Sequence, residues 1–390
     1  MNVAFDNDRE RRSGAALQKS GGSERLQKEF CLGYQPGLDG VRGIAIIFVL
    51  LSHGLVVRDS FSFIAVNTFF VLSGFLITAL LVSEWDRTGG ISLKKFYLRR
   101  ALRLLPALSV MLVLFVVFVC STDPPGRAMR QLHEALRALF YVQNWASIFN
   151  VGRSVSLAHT WSLSVEEQFY IVWPWMLIFL LRKTNRASVL CWLFLAAFVA
   201  VVYRIGIHMC TTTTIWGNVF PVKFKRVFAG TDTRADSLLF GSFAGALMAS
   251  HRLPSGAWLD HVLKYAAPIS GAGLLLLCFV DEQSAFMIRF GWALASLLAM
   301  TLIGSLVLQP AGGWLSRCFA MKPLVFIGRI SYGLYIWHYP ILMALKQHHW
   351  PWKNMIYLVF VIPVVLASYY LVERPCLRLK SKLENRGSSC

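Results

Sequence analysis

LDGVRGIAIIFVLLSHGLVV, Leu38 to Val57, is the stretch whose reading decides the fold. It is an apolar run with Asp39 and Arg42 near one end and His53 toward the other. An ionisable side chain inside lipid is expensive, so a residue retained there marks a functional path or a buried pair. Arg42 and His53 are eleven residues apart, close to three helical turns, which puts them on one helix face separated by roughly 16 Å of rise. One span therefore presents a cation near one mouth and an imidazole at membrane depth.

The rest of the chain repeats the apolar theme. Of 390 residues, 56% are hydrophobic and 15% charged, the mean hydropathy is +0.54, and apolar runs recur from residue 43 almost to the end. Such runs read as membrane spans in a lipid bilayer. The predicted spans are Leu38 to Val57, Phe63 to Val82, Leu104 to Cys120, Val165 to Leu181, Ala187 to Tyr203, Ala235 to Ala249, Val262 to Val280, Phe286 to Leu308, Ile330 to Leu345 and Met355 to Val372. Ala138 to Phe149 is too short to cross and reads as a re-entrant or interfacial segment, while Ser121 to Arg137 reads as a polar loop. The expected fold is all-α, a polytopic membrane bundle of about ten transmembrane helices. Its domains are a disordered cytoplasmic tail over 1–36, a membrane domain over 37–375 and a basic cytoplasmic tail over 376–390.

The net charge of +19, from 39 Lys+Arg against 20 Asp+Glu, would point to nucleic acid in a soluble protein. Topology gives a better account. With ten crossings and both termini inside, 25 basic residues fall on the cytoplasmic side and 10 on the outside, in line with the positive-inside rule. No nucleic-acid partner is expected. Lys223, Lys225 and Arg226 are the exception: an outer cluster that either meets an acidic acceptor or is an ordinary solvated group. Eight scattered cysteines offer neither a metal site nor a disulfide framework, and the polar N-terminus lacks the apolar core of a signal peptide.

Several polar groups stand where lipid should be. His53 is either a satisfied interhelical histidine or a general base. Arg42 either snorkels to headgroups or forms an anion site with Arg99, Arg100 and Arg103 of KKFYLRRALR. Glu166 and Glu167 open a span and are either wet edge carboxylates or catalytic, and adjacent helical positions allow at most one to face a cavity. Arg234 and Asp236 read as an ion pair, and Tyr332 and His338 stand in GRISYGLYIWHYP, where Ser331, Tyr335 and His338 share a face.

Six stretches in order, the opening run with Ser52 and His53, FFVLSGFLIT from Phe69, KKFYLRRALRLLP from Lys94, HTWSLSVEEQFYIVWP from His159, RADSLLFG from Arg234 and GRISYGLYIWHYP from Gly328, closely resemble the acyltransferase 3 family of bacterial membrane O-acetylases. The resemblance runs from about Leu38 to Pro375 and implies the stand-alone type, so no appended hydrolase-like domain is expected. It implies transfer of an acyl group from cytoplasmic acyl-CoA, acetyl-CoA or succinyl-CoA, to a hydroxyl of an extracytoplasmic polysaccharide or lipid-linked saccharide, in the bacterial cytoplasmic (inner) membrane. It further implies that His53 is catalytic and that Arg42, Arg100 and Arg103 engage the donor. Glu166 or Glu167 is then expected to orient His53, with Arg99, Tyr332 and His338 on the donor side and no metal. The rival class is a transporter or flippase, since polar groups along a bundle also describe a substrate path.

Overall fold

The computed structural model describes residues 33–54, 58–152, 156–210, 214–215, 218–219, 223–250, 257–308, 313–347 and 353–385. Most of the tail expected over 1–36 lies outside them. The described chain is helical, apart from a two-residue ribbon pairing β1 (Thr214–Ile215) antiparallel with β2 (Asn218–Val219).

The long elements come first. Helix α1 (Pro36–Gly54), α2 (Asp59–Thr88) and α3 (Leu93–Thr122) follow in close succession. Then come α4 (Pro125–Leu139), α5 (Gln143–Ile148), α6 (Trp161–Lys183), α7 (Arg186–Met209), α8 (Lys223–Ala229), α9 (Ala235–Ala249), α10 (Ala257–Leu277), α11 (Trp292–Leu308), α12 (Trp314–Phe319), α13 (Lys322–Arg329), α14 (Ser331–Gln347), α15 (Lys353–Ser368) and α16 (Arg374–Asn385). Turns of π-helix at Met287–Gly291 and Tyr369–Glu373 lead into α11 and α16.

Among the described residues, six helices are long and apolar enough to cross a membrane: Pro36–Gly54, Asp59–Thr88, Leu93–Thr122, Arg186–Met209, Met287–Leu308 and Ile356–Leu379. The protein is a multi-pass membrane protein, and this count does not confirm the expectation of about ten spans. Helix α9 falls outside the count by its length, and twelve of its fifteen residues are buried against protein, so neither its length nor its apolarity is set by lipid. The polar loop expected over Ser121 to Arg137 is instead largely helix α4. Pro125 stands in its first turn, where a missing N–H costs nothing, and Gln131, Glu134, Ala135 and Ala138 are buried at one-face spacing. The short segment Ala138 to Phe149 divides into the end of α4, a turn at Tyr141 with φ of 54°, and α5.

Close helix contacts fix the frame. A Cβ added at Gly241 of α9 would stand 1.9 Å from the Val71 carbonyl oxygen of α2, and one at Gly74 would stand 2.0 Å from the Leu238 carbonyl oxygen. Small residues at such crossings let backbones touch, the usual way membrane helices gain packing energy when apolar burial gives no advantage over lipid. These contacts hold α2, which together with α1, α3, α6 and α14 lines the interior space.

Candidate active site

Two chambers lie along the α1–α2–α14 seam. The smaller, of about 200 Å³, is lined by Arg42 of α1, Ser73 of α2, Arg100 and Arg103 of α3, Glu166 and Tyr170 of α6, and Ser331 and Tyr332 of α14. The larger, of about 820 Å³, is lined by His53, His159, Trp161, Phe228, Tyr335, Tyr339 and neighbouring residues. Val66 and Tyr335 line both chambers and form the wall between them. Arg42 and His53 of a single helix thus serve one chamber each.

In the small chamber three guanidinium groups converge. Arg42 Nε and Nη2 donate to Ser331 Oγ at 3.3 and 3.1 Å. Arg100 stands over the Tyr170 ring at 4.6 Å, a cation–π arrangement. Arg42 and Arg100 both repel the Arg103 guanidinium, Arg42 the more strongly. Glu166 offsets part of this charge, accepting from Ser73 Oγ at 2.9 Å. The excess is positive, in a space walled by protein, which suits a phosphate-bearing ligand.

Not every predicted donor-side residue joins this chamber. Arg99 turns away and pairs with Glu84 at 3.2 Å. Glu166 lines the small chamber and Glu167 does not, as the 100° step between neighbours requires. The carboxylate of Glu166 is bonded to Ser73 and lies among arginines, so no contact matches its expected role of orienting His53. Tyr332 donates its hydroxyl to the Leu104 carbonyl at 2.9 Å and bridges α14 to α3.

His338, expected on the donor side, stands instead beside His53. His53 Nδ1 and His338 Nε2 are 3.0 Å apart, with the rings nearly parallel. The other nitrogen of His338, Nδ1, faces the carbonyl oxygens of Tyr335 at 2.6 Å and Leu334 at 3.1 Å. A carbonyl only accepts, so Nδ1 of His338 carries the proton and its Nε2 offers a lone pair. That lone pair takes the Nδ1 proton of His53. Nε2 of His53 is then left unprotonated and has no hydrogen-bond partner among the described residues.

Sequence reasoning missed three participants. His159, just ahead of α6, is 3% exposed and stacks on Tyr339 with ring centroids 5.0 Å apart. It approaches the Ile336 carbonyl, which Pro340 leaves without its helical N–H partner, yet neither ring nitrogen reaches hydrogen-bond geometry. Glu373, on a π-helical turn against Gly333, acts electrostatically on Arg103 and Arg42. Tyr335 donates to the His159 carbonyl at 2.8 Å and pairs with Ser162, pinning the dividing wall. The His159 signal was present in the sequence, as a histidine opening an apolar run, whereas Glu373 is separated from its arginines by 270 residues or more.

The expected Arg234–Asp236 pair is corrected by the structure. Asp236 pairs with Arg204 of α7, both fully buried, and Arg234 donates to Asn67 at 3.1 Å. Residues two apart on a helix do not face each other. Asn67 also bonds Ser237 and Ser296, so the cluster ties α2, α9 and α11 together as a framework.

The chain is 32% identical over 367 residues to the O-acetyltransferase OatA of Staphylococcus aureus strain NCTC 8325 / PS 47, an alignment covering 90% of this chain and 58% of OatA. It is also 32% identical over 389 residues to SAR0937 of S. aureus strain MRSA252, a protein named provisionally as an O-acetyltransferase, with 96% of this chain and 62% of that protein covered. The chain therefore spans about three-fifths of the length of the relatives it matches. No solved structure is a significant match. The family model described as "Acyltransferase domain" matches residues 35–373, and the chain belongs to that acyltransferase family.

Proposed function

We propose that this protein is an O-acetyltransferase that moves an acetyl group from acetyl-CoA, or a related acyl-CoA, to a hydroxyl of an extracytoplasmic polysaccharide or lipid-linked saccharide. The membrane is the bacterial cytoplasmic membrane, with both termini and the arginine chamber on the inner side. The observation that carries the reading is the His53–His338 pair, which leaves one basic nitrogen open to the large chamber.

The steps follow from the tautomers. Arg42, Arg100 and Arg103 hold the donor's phosphates, and its flexible arm passes the Val66–Tyr335 wall toward His53. The acceptor hydroxyl gives its proton to His53 Nε2 as its oxygen attacks the thioester carbonyl. The carbon–sulfur bond breaks, and the proton moves from Nε2 to the departing sulfur. His338 keeps the imidazole in register throughout, the role an orienting partner plays in nucleophile–base–partner arrangements. His159, with unpartnered ring nitrogens, is available to donate to the carbonyl oxygen as charge grows there. Glu166 and Glu373 temper the repulsion among the arginines.

The transporter reading draws support from two chambers in series, but it leaves the ordered histidine pair without a task. The test is transfer itself: purified protein in liposomes, radiolabelled acetyl-CoA inside and cell-surface glycan outside. Label should reach the glycan with wild-type protein and fall about 10²- to 10⁴-fold with His53→Ala. Unchanged transfer by folded His53→Ala protein would refute the assignment.

A further inference from the structure

The large chamber carries a charge pattern that acyl transfer alone does not require. Among its described lining residues there is one full cation, Lys225, and no carboxylate. Lys225 is exposed, its Nζ donates to Asn150 Oδ1 at 3.0 Å, and it has no acidic partner among the described residues. Asn150 lines the same chamber from the opposite segment and adopts the left-handed backbone with φ of 53°, a conformation asparagine tolerates. The adjacent cation is different. Arg226 is engaged by both carboxylate oxygens of Asp232, and although partial burial works the other way, this fork holds the Asp232 carboxyl below its ordinary range.

The nearby carboxylates do not quench Lys225. Asp59 and Glu134 act on Tyr339 but do not line the chamber. Glu134 accepts from the backbone N–H groups of Leu157 at 2.7 Å and Ser156 at 3.4 Å. Lys346 adds positive potential that reaches His53. The same chamber has an aromatic lining of Phe63, Trp161, Phe228 and Tyr339, with Trp161 and Phe228 centroids 4.5 Å apart. An uncompensated cation in a chamber lined by aromatic rings recruits anions with a flat, partly apolar body.

Resting on the acetyl-transfer reading, we propose that the acceptor is an anionic saccharide, whose carboxylate or phosphate is held by Lys225 and Asn150 while its ring lies on the aromatic lining and presents a hydroxyl to His53. Lysine acts as a point charge without demanding bidentate geometry, so either anion fits.

The experiment uses the full chain in nanodiscs and three fluorescent probes: an oligogalacturonate, a phosphodiester-linked oligosaccharide and a carboxyl-reduced neutral oligosaccharide. At least one anionic probe should bind roughly tenfold more tightly than the neutral one, and which one does so identifies the anion. That preference should vanish in Lys225→Ala, return in Lys225→Arg and weaken as salt is raised. Equal binding of charged and neutral probes, or a preference unchanged in Lys225→Ala, would overturn the proposal. Acetyl transfer is followed in the same discs. Anion preference without transfer would support the anion site and strike the acetyl-transfer reading alone; transfer to neutral and anionic acceptors alike would strike the anion site alone.

Discussion

The two chambers share helices α1, α2, α6 and α14 yet differ in kind. The small one gathers permanent charge: Arg42, Arg100 and Arg103 with Glu166 among them. The large one gathers imidazoles and aromatic rings, four times the volume with a single lysine. A fixed cation binds phosphate at any accessible pH and transfers no proton, whereas an imidazole does the reverse. The lesson is a division of labour along one helix. On the proposed acetyl-transfer reading, donor capture and proton transfer fall on opposite sides of the Val66–Tyr335 wall, and each can be disturbed without the other.

The largest effect short of removing His53 should come from its partner. His338→Phe removes the acceptor for the His53 Nδ1 proton, so the ring loses its fixed tautomer; transfer should fall about 10²-fold at saturating donor with donor affinity kept. Steady-state kinetics with a donor-binding titration check this, and a parallel loss of donor affinity would erase the distinction between chambers. Next is Arg100→Ala with Arg103→Ala, which should weaken acetyl-CoA binding by roughly 10- to 100-fold and leave the saturated rate nearly intact. A fall in rate at unchanged affinity would reverse the assignment.

A smaller effect concerns the outer corner. The Asp232 carboxyl titrates below its ordinary value, so the Arg226 pair stabilises the α8–α9 turn at all pH values above the unfolded carboxylate range and is lost only as pH falls through the lowered folded value. Binding of the phosphodiester-linked oligosaccharide, whose own charge persists in this range, should therefore hold at pH 5 and decline only below about pH 4, and Asp232→Asn should remove that acid limb. Arg99→Ala should change donor affinity less than about twofold, because the Arg99–Glu84 pair is a partly exposed bridge outside the chamber. A large effect of Arg99 would mean that the donor site extends past Glu84.

Much of this was legible in the chain. Helical class followed from apolar runs, and the three-turn spacing of Arg42 and His53 placed them on one face before any coordinates. The basic cluster at Arg100 and Arg103 raised the expectation of an anion site, and the structure brings both residues to one chamber with Arg42. What stayed hidden depends on pairings between distant segments. His338 and His53 are 285 residues apart, and no local pattern shows that their rings meet. Asp236 chose Arg204 over the nearer Arg234 for the same reason. The number of spans stays unconfirmed for a related reason: apolarity measures a helix's surroundings only when lipid surrounds it, and α9 is enclosed by protein.

The most direct measurement compares acetyl-CoA binding with single-turnover acetyl transfer on one preparation of His53→Ala protein. The division of labour predicts wild-type affinity for acetyl-CoA together with transfer reduced at least about 10²-fold. Loss of acetyl-CoA binding in step with transfer would contradict it, because His53 would then belong to the donor site.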